Sequence, residues 1–133
     1  MAPIVLDASA LIAFLQQKEG GEKVTYLFEQ ASKLNKKLHI ASVNWGEVYY
    51  YLLHKKGKEL ADKVMMHLEG MPLEIVDVDK FLAKRAGFFK VTKNLAYSDS
   101  FVAALAQQMN AKLYTSDHDF KKVEHEIHIG WLC

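Results

Sequence analysis

Short apolar runs alternate with longer stretches of helical periodicity along the whole of this 133-residue chain. Apolar residues spaced at three and four mark the helical stretches. Strands are expected at residues 4–7, 38–42, 73–78, 112–115 and 127–132, and helices at residues 9–17, 22–34, 45–56, 58–68, 80–90 and 99–109. Parallel strands need a long crossover between them. The alternation therefore predicts an α/β fold, with a central, mostly parallel sheet of four to five strands flanked by helices on both faces.

Nothing in the sequence marks a boundary between two domains. Prolines occur only at positions 3 and 72, and no Gly/Ser-rich tract divides the chain. A chain of this length buries roughly two thirds of its unfolded surface, which is enough for a core without a disulfide or a metal staple. We therefore expect a single domain over residues 1–133.

The sequence predicts a cytoplasmic protein without a membrane segment. Cys133 is the single cysteine, so no internal disulfide can form and a reducing compartment is the simplest expectation. The apolar N-terminus lacks the basic leader of a signal peptide and carries Asp7 inside the apolar run. No stretch approaches the ~20 uncharged apolar residues of a membrane span.

The placement of four acidic residues is the most informative chemical feature. Asp7 ends the first predicted strand, and Glu47 lies in the first turn of the helix that follows the second strand. Asp99 opens an alanine-rich helix, and Asp117 follows the fourth strand. The carboxyl ends of parallel strands form the ligand crevice of an open α/β sheet. We therefore expect the four carboxylates to converge on one edge of the sheet.

Helix capping is the alternative interpretation of these acids. Acidic residues at helix N-termini contribute about 0.5 to 2 kcal/mol each, Asn44 and Glu47 match the spacing of a capping box, and Ser98 resembles a cap. A set of caps should be chemically mixed, whereas all four residues are carboxylates. Carboxylates held close together repel unless a cation neutralises them. The set therefore favours a site for Mg²⁺ or Mn²⁺, whose chemistry suits phosphodiester hydrolysis.

Several segments resemble one known family. They are IVLDASALIAFL, the segment around Glu47, LAYSDSFVAALAQQMNAKLYTSDHDF and the closing HIGWL. Together they resemble the PIN-domain ribonucleases, and within that family the VapC-type toxins of toxin–antitoxin pairs, over essentially the whole chain. The resemblance implies endonucleolytic cleavage of RNA that depends on one or two Mg²⁺ or Mn²⁺ ions. It also implies a homodimer and a VapB-like antitoxin that blocks the acidic site.

The resemblance also assigns roles to individual residues. The acids that match the family's metal-binding and catalytic positions are Asp7, Glu47, Asp99 and Asp117. Ser9 and Thr115 match supporting hydroxyl positions. Three roles are open for Asp119: it ligates metal, it supports Asp117, or it caps the short helix that leads into Phe120. Of these we favour capping or support. In the implied mechanism, the aspartates hold metal and Glu47 ligates or polarises a water that attacks phosphorus.

The overall charge excludes a protein that binds nucleic acid through general positive charge. The chain has 17 basic and 16 acidic residues, a net charge of +1. Contact with RNA must therefore be local. Arg85, Lys90 and Lys93 are the candidates for phosphate contact, because the helix that carries them ends near Asp99. An ordinary solvated helix surface is the alternative for these residues.

Two other functions remain open at this stage. A PIN nuclease that processes RNA without being a toxin would share the fold and the site. A catalytically inactive PIN-like interaction domain would share only the fold, and the presence of all four acids argues against it.

Overall fold

The computed structural model describes residues 2–133, and within that range five strands form one fully parallel sheet. The strands are β1 (Ile4–Leu6), β2 (Leu38–Ala41), β3 (Leu73–Val76), β4 (Lys112–Thr115) and β5 (Ile129–Trp131). Their order across the sheet is β3-β2-β1-β4-β5. The predicted α/β fold with a parallel sheet is confirmed.

Helices connect the strands and cover the sheet. They are α1 (Ala8–Gln16), α2 (Gly21–Lys33), α3 (Ser42–Lys56), α4 (Lys58–Glu69), α5 (Lys80–Lys93) and α6 (Tyr97–Met109), with a short 3₁₀ helix at His118–Val123. Asp7 and Asp79 cap α1 and α5 through side-chain bonds to backbone N–H groups. Asn94 and Asn110 end α5 and α6 in the left-handed conformation that asparagine tolerates.

The core has one half on each face of the sheet, as the prediction of helices on both faces requires. Ile4 and Leu6 of β1 point to the face that packs with α1 to α4. Val5 points to the other face, where it packs with α5 and α6. Every residue of α6 from Ser100 to Ala106 is buried, as its apolar sequence predicts. The sheet and α6 therefore form the rigid frame on which the functional side chains are mounted.

The boundaries of several elements differ from the predicted ones. The helix α3 begins at Ser42, which the sequence assigned to the preceding strand, and its N-cap Ala41 makes no side-chain cap. The alternative interpretation of Asn44 and Glu47 as a capping box is therefore wrong, because Asn44 lies inside the helix and its side chain accepts no backbone N–H bond there. Ser98 also lies inside a helix, since α6 begins at Tyr97 after the N-cap Ala96.

The helix α5 is longer than predicted, and two strands are shorter. The helix α5 continues to Lys93 rather than residue 90. The edge strands β3 and β5 are shorter than predicted, at Leu73–Val76 and Ile129–Trp131. Ile127 and Leu132 lie outside β5, in the loops on either side of it. Their apolar side chains are nevertheless buried in the core, which is why the sequence pattern suggested a longer strand.

The sheet topology creates a crevice between two central strands. The chain moves outward from β1 to β2 and β3 on one side and places β4 and β5 on the other. Ligand sites in open α/β sheets lie at such a reversal, outside the carboxyl ends of the strands. The reversal here lies between β1 and β4, where Asp7 and Asp117 follow their strands. No helix within residues 2–133 has the length and apolar character needed to cross a membrane.

The contact between α1 and α2 predicts opposite effects for two glycine substitutions. A Cβ atom at Gly21 would lie 2.5 Å from the carbonyl oxygen of Ala13, whereas one at Gly87 in α5 would meet nothing within 4 Å. We expect Gly21→Ala to lower the free energy of unfolding by about 1 to 3 kcal/mol through overpacking. Gly87→Ala should raise it by up to about 1 kcal/mol through helix propensity. Urea denaturation measures both, and equal effects of the two variants would contradict the packing described here.

Candidate functional site

Asp7 is a buried carboxylate at the end of the central strand. It follows β1 directly, serves as the N-cap of α1, and has only 3% of its surface exposed. Its Oδ1 accepts bonds from the Ala10 N–H at 2.9 Å and the Ser9 hydroxyl at 2.7 Å. Its Oδ2 accepts a bond from the Thr115 hydroxyl at 2.6 Å. Burial raises the pKa of Asp7 to about 6, although these three bonds oppose the rise.

Two hydroxyl groups join the end of β1 to the segment after β4. The Ser9 hydroxyl oxygen accepts a bond from the Ser116 N–H at 3.2 Å, and the Thr115 hydroxyl oxygen accepts one from the Asp117 N–H at 2.9 Å. Each hydroxyl therefore donates to Asp7 and accepts from the backbone after β4. This network orients the Asp7 carboxylate and sets the position of Asp117 relative to it.

Asp117 and Asp119 meet Asp99 beside this network. Asp117 is the N-cap of the 3₁₀ helix and accepts a bond from the Asp119 N–H at 2.9 Å. One carboxylate oxygen from each of Asp99, Asp117 and Asp119 lies within 4.8 Å of the other two. Asp117 therefore caps a helix and also belongs to the acidic cluster.

Asp99 experiences the combined charge of the other acids. It lies in the first turn of α6 and is half-buried. Burial raises the pKa of Asp99 to about 7, and the negative charges of Asp117, Asp7 and Glu47 act in the same direction. All four acids singled out from the sequence therefore lie close enough to interact. The predicted capping role of Asp119 is wrong, because Asp117 is the N-cap of the 3₁₀ helix and Asp119 lies within its first turn. Asp119 instead joins the cluster from the exposed side.

Glu47 is held in place by a residue whose role the sequence did not reveal. The Asn44 amide donates to Glu47 Oε1 at 2.8 Å and to the Ser98 carbonyl oxygen at 3.1 Å, linking α3 to the start of α6. Asn44 is fully buried, and its Oδ1 has no hydrogen-bond partner within residues 2–133. The spacing of three residues was the available signal, but it suggested a cap rather than a side-chain clamp.

The acidic cluster has no positive partner in the described part of the chain. The ion pairs among residues 2–133 join other side chains. Oxygen ligands that share a crevice without a lysine or arginine are the donor set that Mg²⁺ and Mn²⁺ prefer. The residues therefore fit a hard divalent cation, with Asp99, Asp117 and Asp119 nearest to a common position.

Two of the predicted phosphate-contact residues are already engaged within the chain. The Arg85 Nε donates to Gln107 Oε1 at 2.6 Å, and its guanidinium lies 4.6 Å from the ring centroid of Phe88. Lys93 forms an ion pair with Glu126. Lys90 is exposed on α5. The structure does not bring these three residues into the network around Asp7.

Comparison with known proteins identifies the family. The family model described as PIN domain matches residues 4–126. A search of curated proteins found no match.

Solved structures share the fold at low sequence identity. The DNA-bound VapBC of Salmonella typhimurium superposes with a TM-score of 0.76 at 18% identity, covering 100% of both chains. VapBC-1 of nontypeable Haemophilus influenzae superposes with a TM-score of 0.74 at 15% identity, covering 97% of each chain. The sarcin-ricin-loop-cleaving toxin VapC20 of Mycobacterium tuberculosis superposes with a TM-score of 0.71 at 18% identity, covering 89% of this chain and 92% of that one. Because the family model spans nearly the whole chain, the protein belongs to the PIN-domain family.

Proposed function

We propose that this protein is a divalent-metal-dependent endoribonuclease and the toxin of a type II toxin–antitoxin pair. The observation that carries the proposal is the cluster of five carboxylates at the reversal between β1 and β4, which has no positive partner within residues 2–133. Such a cluster is unfavourable without a cation, and a cation there would face a substrate at the mouth of the crevice.

Asp99, Asp117 and Asp119 are the residues that would hold one Mg²⁺ or Mn²⁺ ion, and Asp7 would complete the site or bind a second ion. A bound metal ion would lower the pKa of the water molecule that it binds and would neutralise negative charge on a phosphoryl oxygen of the substrate. Ser9 and Thr115 keep Asp7 oriented by donating to its two oxygens. Supporting bonds of this kind usually determine how well a carboxylate ligand is placed.

Glu47 is the residue we assign to the attacking water. Its Oε1 accepts the Asn44 bond, so Oε2 is the oxygen left to orient a water and accept its proton. The clamp also joins Glu47 to the backbone next to Asp99 through the Ser98 carbonyl. The Asn44 side chain therefore controls the distance between the proton acceptor and the metal-binding acids.

The toxin role draws on the fold shared with the VapBC complexes and VapC20. We propose a VapB-like antitoxin, a homodimer and a cytoplasmic location on the same basis. Large apolar side chains exposed along α5, at Phe81, Phe88 and Val91, support contact with another protein. Their spacing of seven and three places them on one side of the helix.

Cleavage of RNA by the purified protein tests the enzymatic proposal. We expect cleavage with Mg²⁺ or Mn²⁺ and none with EDTA. Asp7→Asn and Asp99→Asn should each lower the rate by at least about 100-fold, because a metal-binding charge is lost from the site while the fold is kept. Gel analysis of a structured RNA measures the rate.

Asp77→Asn is the matched control for this experiment, because Asp77 is an exposed acid outside the cluster. It should cleave at the wild-type rate. Full activity of Asp99→Asn, or cleavage that persists in EDTA, would contradict the proposal.

Expression in a bacterial host separates a toxin from a processing nuclease. We expect the wild-type chain to arrest growth because it degrades an essential RNA, whereas Asp99→Asn should not. Growth curves after induction measure the effect, and protein levels are compared by immunoblot. Unimpaired growth with a protein that cleaves RNA in vitro would instead support a role in RNA processing.

The raised pKa values predict how stability without metal depends on pH. Asp7 and Asp99 have pKa values of about 6 and about 7 in the folded protein, against 3.8 as the ordinary value. The folded state therefore binds more protons than the unfolded state between about pH 4 and pH 7, and the contribution of these groups to stability falls as the pH rises through that window. Asp99→Asn should reduce this pH-dependent loss of stability, because asparagine does not ionise.

The melting temperature in EDTA measures the effect. The difference between Asp99→Asn and wild type should grow in favour of the variant from pH 5 to pH 8, and Mn²⁺ should raise the wild-type melting temperature more at pH 8. Asp77→Asn serves as the control, because it removes one acidic charge outside the cluster. An Asp99→Asn difference that is equal at both pH values would contradict the described electrostatics.

A further inference from the structure

Asn44 differs from the other polar side chains that are buried within residues 2–133. Those side chains are Asp7, Ser100 and Thr115, and each of them is hydrogen-bonded. Asp7 accepts a bond from Thr115, and the Ser100 hydroxyl donates to the Ala96 carbonyl oxygen at 3.0 Å. Asn44 is fully buried, yet its Oδ1 has no hydrogen-bond partner in the described part of the chain. An unpartnered buried oxygen of this kind requires a physical explanation.

The orientation of the Asn44 amide explains why its oxygen is left without a partner. The Nδ2 atom donates to Glu47 Oε1 at 2.8 Å and to the Ser98 carbonyl oxygen at 3.1 Å. An amide nitrogen carries two hydrogens, and a carboxylate and a carbonyl oxygen can only accept. Reversing the amide would bring Oδ1 against both acceptor oxygens. The amide therefore has one orientation, in which both hydrogens are used and the oxygen is not.

The stability of the fold does not require these two bonds. Ser98 lies within α6, so its carbonyl oxygen also faces the N–H group four residues further along the helix. Glu47 is half-buried, so water can reach its carboxylate. The unpartnered Oδ1, in contrast, loses its bonds to water on folding and gains none in exchange. An apolar side chain at position 44 would therefore suit the fold at least as well as asparagine.

The two bonds do have a consequence for the acidic site. Asn44 and Glu47 lie in the first two turns of α3, and Ser98 directly precedes Asp99 in α6. A free glutamate side chain samples several rotamers. The bond from Asn44 restricts Glu47 to rotamers that keep its Oε1 next to the start of α6. The amide thus sets where the Glu47 carboxylate lies relative to Asp99, which belongs to the acidic cluster.

We propose that Asn44 is a positioning residue, which holds the Glu47 carboxylate at a fixed place relative to Asp99 and thereby raises the rate of the chemical step. A fully buried side chain cannot contact RNA, so any effect on the reaction must pass through the residues that it bonds. The inference rests on the proposed ribonuclease function and deepens it. The unpartnered oxygen is a local loss of stability that keeps Glu47 in place.

Steady-state cleavage of RNA by two variants tests the proposal. Asn44→Leu puts methyl groups where the amide was, and Asn44→Ala leaves that space empty. The two variants therefore disturb the packing in opposite directions, while both release Glu47. We expect each to lower kcat about 10- to 100-fold, because a displacement of about 1 Å near the reacting atoms can lower the rate that much. The KM for RNA should stay the same, since Asn44 does not contact the substrate.

A double-mutant cycle with Glu47→Ala separates positioning from a general structural role. If Asn44 acts through Glu47, adding Asn44→Leu to Glu47→Ala should change kcat by less than about twofold. A residue that only supports the fold would lower kcat by the same factor in both backgrounds. Ser100→Ala is the matched control, because Ser100 is also fully buried and its hydroxyl donates to Ala96 instead of to an acid. It should cleave at the wild-type rate.

Melting temperatures in EDTA accompany these measurements. Asn44→Leu should melt at or above the wild-type temperature, since the unpartnered oxygen is gone. A kcat that is unchanged in both Asn44 variants would overturn the proposal, as would equal effects of Asn44→Leu in the wild-type and Glu47→Ala backgrounds. A loss of rate confined to the variant that melts at the lower temperature would assign the effect to packing and would overturn it as well.

The NMR signals of the Asn44 side-chain amide provide a readout that does not depend on activity. Its two hydrogens give a pair of signals in an amide correlation spectrum recorded in EDTA, identified by their absence in Asn44→Leu. Glu47→Ala should move this pair, whereas Asp77→Asn should not, because Asp77 is an exposed acid outside the cluster. A pair that keeps its position in Glu47→Ala would show that the bond is absent and would overturn the proposal.

The two proposals fail separately. If the wild-type protein cleaves no RNA, the proposed function is wrong, and the amide signals alone then decide whether Asn44 holds Glu47. If the wild-type protein cleaves RNA and the Asn44 variants cleave it at the same rate, the ribonuclease function stands and the positioning role is wrong.

Discussion

The burial of the Asp7 carboxylate is the constraint on which the rest of the site depends. A carboxylate with 3% exposure is costly unless its oxygens are hydrogen-bonded. Ser9, Ala10 and Thr115 provide those bonds and thereby join β1, α1 and the end of β4 around one side chain. The bonds do not offset burial completely, since the pKa of Asp7 still rises to about 6. The folded protein therefore holds an unfavourable negative charge at the end of its central strand.

The other acids increase this electrostatic cost instead of relieving it. Asp99 and Asp117 lie beside Asp7, and no basic side chain of residues 2–133 is paired with any of them. Natural proteins keep such locally unfavourable arrangements at functional sites and stabilise them elsewhere. Here the buried helix α6 and the two halves of the core provide that stability. The concentration of negative charge that destabilises the crevice is also what makes its residues fit a divalent cation.

The near neutrality of the chain conceals a separation of charge. The net charge is +1 from 17 basic and 16 acidic residues. The functional acids are concentrated at the reversal between β1 and β4, whereas Lys23 and Lys112 lie at a cavity beside β5. Overall charge therefore argued only against a general nucleic-acid binder.

The sequence by itself determined the α/β class, the parallel sheet and the four acids, because apolar periodicity and residue type are local properties. It did not determine the start of α3 at Ser42, the clamp by Asn44 or the engagement of Arg85. Thr115 lies 108 residues from Asp7, and the two side chains meet only because β1 and β4 pair in the sheet. Local pattern shows which residues can do chemistry. Only tertiary packing decides which of them meet, since hydrogen bonds and burial depend on neighbours that are distant in the chain.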